Sequence, residues 1–167
     1  LPNPNIELID DYYAHGESVL DGFGLNGSVY FQFDLALDEN IFPRPEETLD
    51  SLGLIQLVNT TSGSARYGES WPLEFRYYAT GTDIYYLPRT LAIKPLFGRP
   101  LAEGETHCAV ITRGLKDAKG RYLQRAPAFV EALAQNEPSL APLKEWVAQS
   151  PLRLDDIAVA TCFTTQR

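Results

Sequence analysis

The sequence predicts an all-β sandwich of about seven strands carrying a two-helix insertion before its last strand. Three observations predict it. Apolar and polar residues alternate with period two over Val29–Leu37 and Leu73–Thr80, the pattern of a half-buried strand. Short runs rich in aromatic and β-branched residues are separated by turn residues, with 12 Gly, 12 Pro, 9 Tyr and 8 Phe in the chain. Helical spacing is confined to one island near residues 127–147. The chain has 167 residues, 44% of them apolar, enough for one domain over 1–167 with its own hydrophobic core.

Residues 1–28 show no sustained period and read as an extended N-terminal segment lying along the sandwich. In Val29–Leu37, Val29, Phe31, Phe33, Leu35 and Leu37 share one face, and Tyr30, Gln32, Asp34 and Ala36 the other. Asp38–Asp50 is a polar loop in which Pro45-Glu46-Glu47-Thr48-Leu49 suits a short helical turn, with proline first and acids at the N-terminus. Leu54–Asn59 is the next strand, and Thr60–Ser70 a Ser/Gly-rich loop. Leu73, Phe75 and Tyr77 then alternate with Glu74, Arg76 and Tyr78. Thr80-Gly81-Thr82-Asp83 is a turn. Ile84–Leu87, Leu91–Ile93, Thr106–Thr112 and Ile157–Thr164 complete the strands. The insertion, residues 124–155, holds two helices. One runs over Pro127–Gln135 with Phe129, Val130 and Leu133 on a stripe. The other is capped by Ser139 and carries Leu140, Leu143, Trp146 and Val147 at helical spacing.

Charge excludes some partners. There are 14 basic and 22 acidic residues, a net of −8, which is unsuited to nucleic acid or to a polybasic membrane contact. No apolar run is long enough to span a bilayer, and no secretion signal is legible at Leu1-Pro2-Asn3-Pro4.

The most informative stretch is Pro100–Leu123. Gly104 supplies a residue able to take positive φ before a strand. Asp117 can accept from its own following backbone, and Gly120 can take the left-handed position that ends that turn. The Pro-Leu-x-x-Gly start, the alternating strand, Lys116-Asp117-Ala118-Lys119-Gly120 and the closing Phe163-Thr164-Thr165 resemble the core of bacterial Ig-like domains of the S-layer-protein type. The likeness covers residues 28–123 and 157–165. It departs at His107, where that family carries tyrosine, and at the helical insertion. Leu1-Pro2-Asn3, then Leu20-Asp21-Gly22-Phe23, and the ending Phe163-Thr164-Thr165-Gln166 resemble the N-terminal domain of secreted bacterial lipases of the virulence-factor type, in which an Ig-like domain precedes an α/β-hydrolase domain. The resemblance implies an immunoglobulin-like sandwich, an extracytoplasmic location and a following domain of the same polypeptide as partner. Strands flanking such an insertion are neighbours in Ig-like sheets, which allows a Cys108–Cys162 disulfide; two small buried thiols fit the sequence equally.

No catalytic set is legible. Gly63-Ser64-Ala65 and Gly68-Glu69-Ser70-Trp71 both fail the G-x-S-x-G pattern of a hydrolase nucleophile. His15 and His107 are the two histidines, and His107 sits where a strand faces the core. The acids Asp34, Asp38, Glu39, Glu46, Glu47 and Asp50 lack EF-hand spacing and read as a solvated loop. The cysteines lack metal-ligand spacing. No metal and no cofactor are expected. Among Trp71, Tyr77, Tyr78, Tyr85 and Tyr86, alternation places half outside, and Trp71, Tyr78 and Tyr85 are the candidate binding surface. The expected function is that of a non-catalytic accessory domain ahead of a lipase or esterase. The alternative is a surface module binding glycan or protein.

Overall fold

A computed structural model of the chain describes residues 15, 16, 19–81 and 87–167. The described residues are mostly β, with two three-stranded antiparallel sheets and two short α-helices. One sheet contains β1 (Val29–Gln32), β3 (Leu73–Tyr78) and β4 (Thr90–Pro95), in the order β1-β4-β3. The other contains β2 (Ile55–Asn59), β5 (Thr106–Thr112) and β6 (Ile157–Thr164), in the order β2-β5-β6. Helices α1 (Pro127–Ala134) and α2 (Ala141–Val147) lie between β5 and β6 in the chain.

The alternation decides what each sheet buries. Phe31, Leu73, Leu91 and Ile93 from the first sheet join Ile55, Leu57, Ala109 and Ile111 from the second in one apolar cluster. The two sheets therefore share a core in a sandwich-like arrangement. The second sheet is covered on its other face as well. Val58, Cys108, Val110, Ile157 and Ala160 pack under Phe129, Leu140, Leu143, Trp146 and Val147 of the helical segment. This double covering explains why Cys108-Ala109-Val110-Ile111 is apolar without interruption: a strand buried on both faces has no polar side. Burying a leucine such as Leu143 contributes roughly 1.5–3 kcal/mol.

The loop over 38–50 forms two 3-10 turns, Glu39–Ile41 and Pro45–Leu49. In the second, Thr48 is fully buried; its hydroxyl donates to the carbonyls of Pro45 and Trp71 and accepts the Leu73 N–H. One side chain thus ties the turn to the start of β3. In the turn after β5, Asp117 Oδ1 accepts the N–H groups of Lys119 and Arg121, each at 2.9 Å. Gly104 and Gly120 take φ of +65° and +77°, as the turn chemistry requires.

Several expectations need correction. The first strand ends at Gln32 rather than Leu37. Phe33 N–H donates to Arg89 O, the chain then bends, and Ala36 to Asp38 pair instead with the turn at Lys116–Ala118. Leu37 reaches the core by this crossing, while Leu35, at the bend, is 48% exposed. Ser139 does not cap the second helix. It lies inside a 3-10 turn, Pro138–Leu140, that runs directly into α2, and no side chain caps either. Val130 points outward, leaving Phe129 as the buried residue of α1. The N-terminal segment is not extended throughout, because Leu20 N–H donates to Gly16 O in a helical i to i−4 bond. Of the strand expected at Ile84–Leu87, all but Leu87 falls outside the described residues, which contain six strands.

Candidate functional site

The two sheets differ on their outer faces. Helices cover that of β2-β5-β6, whereas the outer face of β1-β4-β3 presents side chains to solvent. Register sets this surface row by row. Tyr30, Ala92 and Arg76 lie directly opposite one another across the three strands, and the next row is Gln32, Thr90 and Tyr78. Lys94 pairs with Glu74 beside them. Ala92 forms a floor with only 7% exposure, while Tyr30 is 50% exposed. The Arg76 guanidinium lies 5.0 Å from the Tyr78 ring centroid, a cation–π distance. Lys94 Nζ bridges Glu74 Oε2 at 2.9 Å. That ammonium, aided by the Phe97 N–H, holds the Glu74 carboxyl below the usual carboxylate range. Tyr30, Glu74, Arg76, Tyr78, Ala92 and Lys94 border a shallow depression of about 380 Å³.

A second feature joins residues 21–23 to residues 163–167. Phe23 bridges Thr165 in parallel; its N–H donates to Thr164 O, and Gln166 N–H donates to Phe23 O, both at 2.9 Å. The Phe23 and Phe163 rings meet edge to face at 5.5 Å, and Arg167 N–H donates to Asp21 Oδ1. The approach is closest at Gly22, where an added Cβ would stand 2.5 Å from the Thr165 carbonyl carbon; only glycine fits. The clasp leaves Leu20 65% and Phe23 64% exposed.

The third cluster surrounds His107, which is fully buried. Its ring packs against Trp71 at 5.0 Å and Phe163 at 6.2 Å. Nδ1 lies 3.1 Å from the Glu105 carbonyl oxygen. A carbonyl can only accept, so the neutral ring carries its proton on Nδ1. Nε2 then remains a buried acceptor with no partner among the described residues. Burial pushes the imidazole below its ordinary value, against a smaller opposite pull from Glu105. The Ser64 hydroxyl donates to Glu105 Oε1 at 2.8 Å, and Asn59 Nδ2 donates to Oε2 of the same carboxylate. Ser64 is therefore bonded to a carboxylate, not to an imidazole that would accept its proton in a nucleophilic attack.

The surface expected from Trp71, Tyr78 and Tyr85 is redrawn. Trp71 is 5% exposed and its Nε1–H donates to Pro100 O at 3.0 Å. It belongs to the core because its indole closes the end of the space between the sheets, over His107. Tyr78 lies on the open face, and Tyr85 and Tyr86 lie outside the described residues. Cys108 and Cys162 are directly opposite on β5 and β6 and are bonded. Tyr30, Arg76, Ala92 and Lys94 went unselected in the sequence. The alternation of the first and third strands already assigned Tyr30 and Arg76 to polar faces, but only the register brings them together around Ala92.

Comparison with protein-family models, with curated proteins and with solved structures gave no match to this chain.

Proposed function

We propose that this chain is a non-catalytic accessory domain of a secreted or surface-bound bacterial protein, an Ig-like β-sandwich that precedes an α/β-hydrolase domain of lipase or esterase type and packs against it. The observation that carries this reading is the terminal clasp. Residues 20–23 and 163–166, the two described segments that resemble the lipase N-terminal domain, bond to each other through Phe23, Thr164 and Gln166. They leave Leu20 and Phe23 exposed on either side of Asp21, whose carboxylate accepts the Arg167 N–H. Exposed apolar side chains at such a point suit coverage by a neighbouring domain.

Two further observations favour it. The Cys108–Cys162 bond suits an oxidising, extracytoplasmic compartment. The neutral, enclosed His107 and the carboxylate-bound Ser64 suit a structural role for both.

The test has two arms. The reading frame beyond Arg167 is expected to encode a G-x-S-x-G motif between a strand and a helix; a stop codon directly after Arg167 overturns the proposal. The purified chain is expected to leave short-chain nitrophenyl esters intact. Turnover that disappears in a folded His107→Ala variant also overturns it.

A further inference from the structure

The open face of the β1-β4-β3 sheet is separate from the terminal clasp, and the accessory reading makes no use of it. Its construction is specific. Neighbouring strands stand about 4.8 Å apart, so Tyr30 and Arg76, on either side of β4, are separated by about 10 Å. Between them the smallest side chain of the face, Ala92, forms the floor. Tyr30 flanks this floor on one side and the cation–π pair of Arg76 and Tyr78 on the other. The Lys94–Glu74 bridge borders the depression and supplies hydrogen-bonding groups beside it. The Phe97 N–H donates to Glu74 Oε1 and helps to fix that carboxylate. A few orienting polar groups beside aromatic surface are the make-up of a small-ligand site.

Charge narrows the ligand. The protein carries a net of −8, yet the depression sets two cations, Arg76 and Lys94, against one carboxylate, Glu74. Among the described residues no carboxylate pairs with Arg76, whose charge faces solvent above the Tyr78 ring. This face thus favours an anion on a molecule that otherwise repels one. Duplex DNA, with a charge every 1.7 Å or so, meets the full repulsion of the acidic surface. A chain of sugar rings with spaced carboxylates presents flat rings to the tyrosines and single charges to Arg76 and Lys94.

We propose that the outer face of the β1-β4-β3 sheet is a binding site for an acidic polysaccharide, one uronate ring seating over Ala92 between Tyr30 and the Arg76–Tyr78 pair. The probes are polygalacturonate, alginate and hyaluronate, with neutral dextran and duplex DNA for comparison, in affinity electrophoresis and calorimetry of the intact chain. At least one uronate polymer is expected to bind, with dextran and DNA at least about tenfold weaker. Tyr30→Ala and Arg76→Ser each weaken that binding by about tenfold or more. Tyr122→Ala, an exposed ring elsewhere on the molecule, leaves it unchanged. The substituted side chains are outward facing, and unchanged thermal melts show that each variant folds. No binding to any of the three uronates overturns the proposal. So does uronate binding that survives both Tyr30→Ala and Arg76→Ser, or DNA binding of equal strength.

Discussion

Replacing Cys108 and Cys162 together by alanine removes the covalent link between β5 and β6 while leaving the strand register to hydrogen bonds alone. The bond closes a loop with a sequence separation of 54, which contains the whole helical segment. In the chain-entropy description, a loop of that length restricts the unfolded ensemble by about 14 cal/mol/K, or about 4 kcal/mol at 25 °C. Cys108 is also fully buried in the cluster beneath the helices, so the loss of its sulfur adds a smaller packing penalty. With a urea dependence of about 2 kcal/mol per molar, the unfolding midpoint of the double variant is expected to fall by about 2 M. Its melting temperature is expected to drop by roughly 8–16 °C. The assay is urea unfolding followed by far-ultraviolet circular dichroism, alongside alkylation and mass spectrometry of the unreduced wild type. Two alkylated thiols in the wild type refute the premise. A double variant as stable as the oxidised wild type refutes the energetic argument.

Three other outcomes are expected. His107 is held below its ordinary value of 6.5 by burial, so the folded state binds fewer protons than the unfolded chain. Stability is therefore full above about pH 6.5 and falls as pH drops through the unfolded value towards the folded one. Glu105 and Arg66 are the charged groups acting on the ring. Urea midpoints between about pH 7.5 and about pH 5.5 check this, and a His107→Phe variant with an equally steep slope would show that another group is responsible. Leu143→Ala empties a fully buried position on the sheet-facing side of α2 and should cost about 2–5 kcal/mol; a loss below about 1 kcal/mol would mean that the helices rest only loosely on the sheet. Gly22→Ala drives a methyl group into the Thr165 backbone, and the amides of Phe23 and Gln166 should exchange faster with solvent. Unchanged exchange at both amides contradicts the clasp.

Much of the fold is legible in local pattern. The alternation of Leu73, Phe75 and Tyr77 with Glu74, Arg76 and Tyr78 reports β3 and its two faces, because period two is the geometry of a strand. The spacing of Leu143, Trp146 and Val147 reports a helix whose apolar side is buried. Asp117 and Gly120 report their turn, since its chemistry is contained in the few residues that make it. His107 is legible as a core residue from its place in a largely apolar strand.

What the local pattern does not contain is which segments meet. Leu35 continues the apolar alternation of β1, but the chain leaves the sheet there to pair with a turn some eighty residues away. Trp71 reads as a free aromatic, yet its nitrogen finds the Pro100 carbonyl and its ring closes over His107. The open face depends on the same kind of information. Its residues come from three strands separated in the chain, and only antiparallel pairing sets Tyr30, Ala92 and Arg76 in one row. The sequence by itself determined β3 with its two faces, the second helix and the turn at Asp117–Gly120, because these follow from neighbours along the backbone. Tertiary structure alone decided strand partners, the covered and uncovered sheet faces and the clasp at Gly22, because those depend on contacts between residues far apart in the chain.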